Sequence, residues 1–313
     1  MLKIPPFRDH HIHFLEAGKP VTLDRALALV TEYICRGIFS IREMGTASGL
    51  GLAVKKILDQ GKEGPIRLEA CGQALYKKGT YGNFLGRGVS GKKEIREAVK
   101  GLAEAGADFL KVIQSGIVSL HREAPITAGG FSREELHVLA EEGRQYGLPL
   151  HCHVNGDQAI RQAAVLPAAS IAHGFFVTPE TLQLLRENRV AWTPTIFALA
   201  HLEQGLSAEQ RRERDRIIDR HLEAVAYAVS IGVALRVGTD SGAGSLRPGV
   251  SFIEELRLLK KAGLSLSQIV DAACQGPEGT RPGDYLQVRE DFITTGVIEQ
   301  IYRAGRPLVL PAV

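Results

Sequence analysis

The chain of 313 residues is 44% hydrophobic and 23% charged, so it is long enough to bury a large core. Its 38 basic and 35 acidic residues leave a formal net charge of +3, which predicts neither a nucleic-acid partner nor attraction to an anionic membrane. No apolar run reaches the roughly 18 residues of a membrane-spanning helix, and residues 1–6 lack the apolar core of a signal peptide, so we expect a cytoplasmic protein.

Taken in chain order, the hydrophobic pattern alternates between short apolar runs typical of strands and stretches with helical periodicity. The predicted strands cover residues 7–13, 38–41, 66–71, 109–113, 147–153, 169–173, 190–196 and 233–239. The predicted helices cover residues 21–36, 50–60, 92–105, 132–146, 157–165, 179–187, 208–230, 252–261 and 267–274. Ser132 is a good N-cap for its helix because Glu135 follows three residues later.

Eight strands, each followed by a helix, predict an α/β protein with a closed (β/α)8 TIM barrel over residues 1–275. An open doubly wound sheet is the alternative, but no phosphate loop of the GxGxxG or GxxxxGK type follows an early strand. From residue 276 the pattern changes to short predicted strands at 285–288, 295–302 and 307–310. We therefore expect residues 276–313 to form a small C-terminal β appendage.

Ionisable residues end at least five of the predicted strands, and active sites of (β/α)8 barrels form where the strands end. These residues are Asp9, His11 and His13 in the first strand, Lys111 in the fourth, His151 and His153 in the fifth, His173 in the sixth and Asp240 after the eighth. Alternation along the first strand would put its three members on one face. Each residue alone is compatible with a structural role, but imidazoles and carboxylates are preferred ligands of zinc, and the set predicts a metal site.

The motifs that carry these residues resemble those of the amidohydrolase superfamily of metal-dependent barrels. They are Asp9-His10-His11-Ile12-His13, Lys111 in residues 108–112, His151 in 150–153, His173 in 171–174 and Asp240 in 238–240. The similarity runs from residue 7 to the C-terminus. Stretches outside the ligand positions are similar to the branch that holds imidazolonepropionase and the prolidase-like (Xaa-Pro dipeptidase-like) enzymes: residues 41–45, 111–116, 172–174, 193–195 and 281–284.

The resemblance implies a binuclear metal centre, with one metal on His11, His13 and Asp240 and the other on His151 and His173. Lys111 would bridge the two as a carboxylated lysine, a carbamate formed with carbon dioxide, because an ammonium group is a poor ligand. The implied reaction is attack by a metal-bridging hydroxide, with Asp240 as the general base and then the general acid. Asp9 would lie deeper in the barrel and orient the site rather than bind a metal.

The metals expected from the resemblance are two zinc ions, with manganese, iron, cobalt and nickel as alternatives. Deaminases of the superfamily carry a glutamate three residues after the fifth-strand histidine, where this chain has Val154. The resemblance therefore favours hydrolysis of an amide in a small-molecule substrate, such as a dipeptide, an N-acyl amino acid or a cyclic amide. A lactone or other ester is the alternative substrate, and a non-catalytic metal- or ligand-binding barrel is the alternative function.

Five further residues are candidates for contacts with substrate. Relatives often carry Gly-Gly-His in the loop after the third strand, where this chain has residues 78–82, so Tyr81 could replace that histidine as a hydrogen-bond donor. Arg42 and Gln73 end the second and third strands and could orient a carboxylate or a carbonyl. His153 shares a face with His151, and His121 lies in the loop after the fourth strand.

The N-terminus is short by comparison with relatives, which usually begin with several strands of a β-sandwich. Here Asp9 lies only eight residues from the start. We expect the C-terminal strands to be a remnant of that sandwich, with edges covered by the barrel or by a second subunit. The sequence thus allows a homo-oligomer.

Overall fold

A computed structural model describes residues 1–16, 18–61, 66–121, 123–244, 246–274 and 281–309. The strands in these ranges are β1 (Leu2–Ile4), β2 (Phe7–Ile12), β3 (Leu15–Glu16), β4 (Lys19–Pro20), β5 (Ile38–Glu43), β6 (Arg67–Ala70), β7 (Ala74–Lys77), β8 (Gly86–Val89), β9 (Leu110–Ile113), β10 (Leu150–Val154), β11 (Ala168–His173), β12 (Ala191–Thr193), β13 (Tyr285–Val288), β14 (Ile298–Arg303) and β15 (Arg306–Pro307). The helices are α1 (Leu23–Ile34), α2 (Leu50–Gln60), α3 (Gly91–Glu104), α4 (Arg133–Gln145), α5 (Asp157–Val165), α6 (Pro179–Glu187), α7 (Ile196–Ala200), α8 (Ala208–Ser230), α9 (Val250–Lys261), α10 (Leu266–Cys274) and α11 (Phe292–Thr295).

The barrel predicted from the sequence is confirmed. β2, β5 and β6 form one parallel group, and β7, β9, β10, β11 and β12 form another. The amide of Asp108 donates to the carbonyl of Ala70 at 3.0 Å and joins the two groups. β6 and β7 together make the third barrel strand, which residues 71–73 interrupt.

The eighth segment, residues 233–241, closes the barrel between β12 and β2. On one side the amide of Arg236 donates to the carbonyl of Trp192 at 2.8 Å. On the other side the amide of His10 donates to the carbonyl of Val237 at 2.9 Å. Single bridges pair Trp192 with Leu235 and Ile12 with Ser241. The ends of this segment and of β2 therefore lie side by side although they are far apart in sequence.

The seventh barrel strand is shorter than the sequence pattern predicts. β12 ends at Thr193, and helix α7 begins at Ile196. Pro194 has no amide hydrogen to donate to a neighbouring strand, and Thr195 adopts a left-handed φ of 47°. The apolar run 190–196 cannot stay extended past these two residues.

Polar caps set where several of the surrounding helices begin. The hydroxyl of Ser132 accepts from the amide of Glu135 at 3.3 Å, and the carboxylate of Glu135 accepts from the amide of Ser132 at 3.0 Å. This reciprocal pair confirms the predicted cap of α4. Ser207 and Gln210 form the same arrangement at the start of α8. In the described ranges, no helix is both long and apolar enough to cross a bilayer.

The C-terminal strands belong to a four-stranded antiparallel sheet that also takes in the N-terminus. β1 pairs with β13, so that Leu2 lies opposite Val288, and the strand order is β1-β13-β14-β15. Residues 2–4 precede the first barrel strand and cover one edge of the C-terminal sheet. Contact of this sheet with a second subunit stays a prediction.

Two of the three predicted C-terminal strands differ from the structure. The strand predicted over 285–288 is present as β13, but the one predicted over 295–302 begins only at Ile298. The preceding residues form helix α11, which Gly296 ends with a left-handed φ of 73°. β15 is limited to Arg306–Pro307, and the part of the third prediction that reaches residue 310 lies outside the described residues.

His221 on the charged helix α8 is buried against the barrel. Its ring stacks on Phe175 at a centroid distance of 4.0 Å, and its Nε2 lies 3.2 Å from the carbonyl oxygen of Pro194. Burial lowers the pKa of His221 to about 4, although the hydrogen bond to Pro194 acts in the opposite direction. The ring is therefore neutral in the folded protein at physiological pH.

We expect acid to destabilise the fold through His221. The side chain titrates near 6.5 in an unfolded chain and at about 4 in the folded one, so the unfolded state binds the extra proton between these values. The free energy of unfolding should fall as pH drops through this window, by on the order of 3 kcal/mol from this group. His221→Phe should flatten that part of the profile in urea unfolding measured at a series of pH values. An identical slope in the two proteins would contradict a buried neutral ring.

Candidate metal centre

A pocket with an empty volume of about 690 Å³ lies at the carboxyl ends of the barrel strands. Its polar lining consists of His11, His13, Tyr81, Lys111, His153, Asn155, His173 and Asp240. Its apolar lining consists of Phe84, Leu85, Ile117, Val118, Phe175, Ala198, Leu199 and Ala243. The polar groups are of types that can bind a cation or carry a proton, and the apolar groups are suited to hold a hydrophobic part of a ligand.

A carboxylate and four imidazoles meet at the floor of this pocket. Asp240 Oδ1 lies 3.2 Å from His11 Nε2 and 3.3 Å from His13 Nε2. The ring of His173 is centred 5.1 Å from that of His11 and 4.4 Å from that of His153. His11, His173 and Asp240 each offer a ligand atom, and these atoms lie within 4.8 Å of one another. This spacing suits a divalent cation.

An irregularity in β2 decides which of its residues reach the pocket. Asp9 pairs with Ile41 of β5, and Ile12 pairs with Glu43. Between these pairs β2 advances by three residues and β5 by two, so β2 contains one extra residue, a β-bulge. The strict alternation on which the shared face of Asp9, His11 and His13 depended is broken, and that prediction is wrong. Asp9 does not line the pocket.

Asp9 instead fixes the backbone beneath the pocket. Its carboxylate accepts from the amide of Thr239 at 3.0 Å, from the hydroxyl of Thr239 at 2.7 Å and from the amide of His11 at 3.2 Å. Burial raises the pKa of Asp9 to about 7, against the effect of these hydrogen bonds. Through them Asp9 positions the segments that carry His11 and Asp240, which agrees with an orienting role.

Two of the pocket residues adopt strained backbone conformations. His173 has a φ of 68° and Asp240 a φ of 57°, in the left-handed region that residues other than glycine rarely occupy. Both come where a barrel strand or strand-like segment ends. Strain of this kind is maintained only where the surrounding structure holds it, and it concentrates at functional sites.

Hydrogen bonds fix which nitrogen of His13 and of His173 carries a proton. His13 Nδ1 lies 2.8 Å from the carbonyl oxygen of Gly45, which can only accept. His173 Nδ1 lies 2.7 Å from the hydroxyl of Thr195, and that hydroxyl donates its one hydrogen to the carbonyl of Pro194 at 2.8 Å. Both rings must therefore donate from Nδ1, which leaves a lone pair on Nε2 for a metal.

The same reasoning gives His153 the opposite tautomer. Its Nε2 lies 3.2 Å from the carbonyl oxygen of Gly116, so the proton belongs on Nε2 and the lone pair on Nδ1. Asn155 supports this arrangement, because its amide group donates to the same carbonyl at 3.2 Å. The side-chain oxygen of Asn155 accepts from the amide of Phe175 at 3.2 Å.

Lys111 is a buried amine in the pocket wall. Only 1% of the residue is exposed, and its Nζ has no hydrogen-bond partner among the described residues. Burial lowers the pKa of Lys111 to about 8, although the negative charge of Asp240 acts against that shift. An unpaired buried amine is unfavourable, so the geometry calls for a group that Nζ can bind.

His151 does not reach the pocket. On β10 it lies two residues before His153, and its register partner on β9 is Lys111. Its Nδ1 lies 2.5 Å from the hydroxyl of Ser170, and its ring packs edge-on against Phe109 with the centroids 4.9 Å apart. The structure brings His153 to the position for which the sequence motif indicated His151, because the later residue of the strand lies nearer its carboxyl end.

A comparison with models of protein families identifies the family of this chain. The model of the amidohydrolase family matches residues 2–278. The chain belongs to the amidohydrolase family. That assignment agrees with the predicted superfamily and with the position of the histidine, lysine and aspartate cluster.

Two relatives found by sequence place this amidohydrolase among known proteins. Over 215 residues it is 29% identical to an ochratoxinase of Aspergillus niger, a match that covers 65% of this chain but only 43% of that protein. It is 24% identical over 278 residues to an uncharacterized protein of Mycobacterium tuberculosis, covering 87% of this chain and 72% of that protein.

Among solved structures, it resembles a Xaa-Pro dipeptidase with bound methionine at a TM-score of 0.75 and 19% identity, covering 97% of this chain and 86% of that one. At this identity the likeness shows a shared fold.

Of the other predicted substrate contacts, the structure brings only Tyr81 to the pocket. Its ring is centred 5.5 Å from that of His153, and burial raises the pKa of its hydroxyl above the usual value. Arg42 is buried in an ion pair with Glu69, with 2.6 Å between Nη2 and Oε2. Gln73 donates to the carbonyl of Ala47 at 2.6 Å beside a different groove.

His121 likewise lies away from the pocket of the amidohydrolase, on an exposed loop that borders another surface groove. Positions at strand ends and in βα loops indicated these residues, but position alone does not fix the direction of a long side chain. None of the three lines the pocket, so contacts of Arg42, Gln73 and His121 with substrate stay predictions.

Sequence reasoning did not identify Asn155 and Thr195 as members of the site. Both form hydrogen bonds to residues that line the pocket, Asn155 to the amide of Phe175 and Thr195 to the ring of His173. Thr195 lies in residues 193–195, one of the stretches that resemble relatives, which was the available signal. Asn155 lies two residues after His153 and therefore at the same strand end.

We expect Thr195→Ala to weaken metal binding by about 10- to 100-fold, because His173 would lose the group that fixes its tautomer and orientation. Thr195→Ser keeps a hydroxyl at the same position and should bind metal nearly as the wild type does. Affinity measured by competition with a chelator, alongside circular dichroism to confirm folding, compares the variants. Equal affinities for the alanine and serine variants would contradict the role given to Thr195.

Proposed function

We propose that this amidohydrolase uses divalent metal ions to hydrolyse an amide C–N bond in a small molecule. The substrate classes that fit are a dipeptide, an N-acyl amino acid or a cyclic amide with an apolar substituent. The observation that carries the proposal is the convergence of four imidazoles, one carboxylate and one unpaired amine in a single pocket at the barrel mouth.

The chemistry of the donor set supports a bound cation. Burial lowers the pKa of His11 to about 3, so its imidazole is neutral. Burial alone would raise the pKa of Asp240, but neighbouring His11 and the contacts from His11 and His13 hold it well below its usual range. His13 donates from Nδ1 to Gly45, which turns its Nε2 toward Asp240 Oδ1 at 3.3 Å. A divalent cation bound here would take the imidazole nitrogens and the carboxylate as ligands, and its charge would balance that of Asp240.

The residues divide into two ligand sets. One metal would take His11, His13 and Asp240, and the other would take His153 and His173, with His153 in place of His151. Zinc suits imidazole and carboxylate donors, and manganese, iron, cobalt or nickel are the alternatives. Lys111 lines the same pocket and would supply a further ligand as a carbamate.

Lys111 is suited to become a carbamate. The neutral amine attacks the carbon of carbon dioxide, an N–C bond forms as one C=O π bond opens onto oxygen, and the amine proton passes to water. The product is a carbamate, which offers two carboxylate oxygens as ligands. The lowered pKa of Lys111 favours the neutral amine, and its unpaired Nζ has no competing partner among the described residues. A carbamate would also add negative charge that the metals need.

Divalent metals bound there would polarise the scissile carbonyl and acidify a water molecule. The remaining steps belong to the side chains. The Asp240 carboxylate would take the proton from water and deliver it to the leaving nitrogen, since its Oδ1 lies at the centre of the cluster. Tyr81 would donate a hydrogen bond to substrate, because its high pKa keeps the hydroxyl protonated.

The fifth strand supports hydrolysis rather than deamination. Deaminases of the superfamily require a glutamate three residues after their fifth-strand ligand. With His153 as that ligand the position is Gly156, and with His151 it would be Val154. Glycine has no side chain, and the side chain of valine cannot carry a proton.

The relatives support the proposal without fixing the substrate. The proteins similar to this chain include an ochratoxinase and a Xaa-Pro dipeptidase. The chain spans less than half the length of the ochratoxinases in the sequence match. The activity of this chain therefore needs its own assay.

We expect the purified protein to bind divalent metal and to hydrolyse at least one member of a panel of dipeptides, N-acyl amino acids and cyclic amides. Asp240→Asn should lower kcat by about 100-fold or more, because the amide cannot accept the proton. Elemental analysis and product detection by mass spectrometry provide the measurements. Absence of bound metal after reconstitution, or turnover confined to lactones and esters, would refute the proposal.

Matched variants on the fifth strand test the choice of ligand. His153→Asn should lose metal from one of the two sites and most of the activity. His151→Gln should retain the metal content, because the glutamine can keep a polar contact with Ser170 outside the pocket. Metal stoichiometry by elemental analysis separates the variants. Loss of metal from His151→Gln alone would restore the assignment indicated by the sequence motif.

A further inference from the structure

A second cluster of charged side chains lies among the barrel strands, apart from the metal pocket. Arg8 precedes His11 on β2, and Arg236 precedes Asp240 on the eighth segment. Arg42 completes the set from β5. None of these arginines lines the metal pocket.

The arginines share a single buried carboxylate. Arg8 Nη2 and Arg42 Nη2 both lie 2.6 Å from the same oxygen of Glu69, its Oε2. The other oxygen of Glu69 is 3.3 Å from Arg67, whose side chain is 40% exposed. Glu69 is thus fully engaged. Apart from the half-exposed Arg67, Arg8, Arg42 and the nearby Arg236 carry three positive charges against its one negative charge, an excess of two.

Several donors in this cluster have no partner among the described residues. They are Arg8 Nε, Arg42 Nη1 and both ring nitrogens of His10. Arg8 is 6% exposed and Arg42 is 7% exposed, so bulk water does not reach these atoms. A neutral imidazole always carries one N–H, and His10 can add a donor to those of the guanidinium groups. Buried cations in excess, with unpaired N–H groups, call for an anion.

We propose that Arg8, Arg42 and Arg236, with His10, bind a small inorganic anion of the chloride class inside the barrel. Arg236 is partly exposed and connects the cluster to solvent, so an ion can exchange from that side. The site is separate from the proposed metal centre. The guanidinium of Arg42 lies 5.6 Å over the ring of Phe109, which packs against His151 at 4.9 Å, and none of these three residues lines the metal pocket.

Bromide provides a direct test, since it replaces chloride and scatters X-rays anomalously. Crystals of the full chain soaked in sodium bromide should show an anomalous peak bounded by Arg8, Arg42 and Arg236. Water molecules alone on the unpaired donors, or no density there, would overturn the proposal. A peak that appears only on the outer surface, as an adventitious ion, would overturn it as well.

Thermal unfolding gives a second test that does not require crystals. At fixed ionic strength the wild type should melt at a higher temperature in sodium chloride than in sodium gluconate, whose anion is too large to enter. Above the dissociation constant the rise should be about 2 to 4 °C per tenfold increase in chloride. Arg236→Met should lose most of this difference, because one of the uncompensated charges is gone.

The control is Arg212→Gln, which removes an exposed arginine of α8 and should keep the full chloride effect. Equal melting temperatures of the wild type in the two salts would refute the anion site. So would an undiminished chloride effect in Arg236→Met. Loss of amide hydrolysis with the chloride effect intact would refute the proposed function and leave the anion site standing.

Discussion

The site depends on the burial of an ionised Asp240 among imidazole rings. A carboxylate in such a place is unfavourable unless hydrogen-bond donors or a positive charge compensate it. The left-handed backbone at Asp240 and His173 adds a further cost of about 1–3 kcal/mol for each residue. The fold can carry these costs because a bound cation would offset them and because the surrounding backbone holds the residues in place.

The second feature is the set of hydrogen bonds behind the ligands. Gly45 holds His13, Thr195 holds His173, and Gly116 holds His153, so each ring has one nitrogen committed to the protein. Asp9 performs the corresponding task for the backbone by binding the amides of both His11 and Thr239. The barrel closure makes this last contact possible, since it places two segments 230 residues apart side by side. The metal centre is therefore organised chiefly through backbone and hydroxyl groups.

The sequence predicted the order of strands and helices because apolar periodicity reflects burial directly. It also indicated most of the polar residues that line the pocket, since strand ends in a barrel converge. It could not show that β2 holds an extra residue after Asp9, because a bulge leaves the hydrophobic pattern unchanged. Nor could alternation distinguish His151 from His153: the two share a face and differ only in depth, which depends on the stagger of neighbouring strands. The antiparallel pairing of Leu2 with Val288 is a contact between the chain ends, and no local pattern encodes it.

The arginine cluster and the metal pocket are coupled through Lys111. The positive charge of Arg42 contributes to the lowered pKa of Lys111, after burial, and so favours the neutral amine that carbon dioxide requires. The same charge stabilises the negative carbamate once it has formed. An empty cluster, with two positive charges in excess, would at the same time repel divalent metals from the pocket. One bound anion would remove half of that excess and leave enough positive charge to favour the carbamate, so the two layers of the barrel have compatible electrostatic requirements.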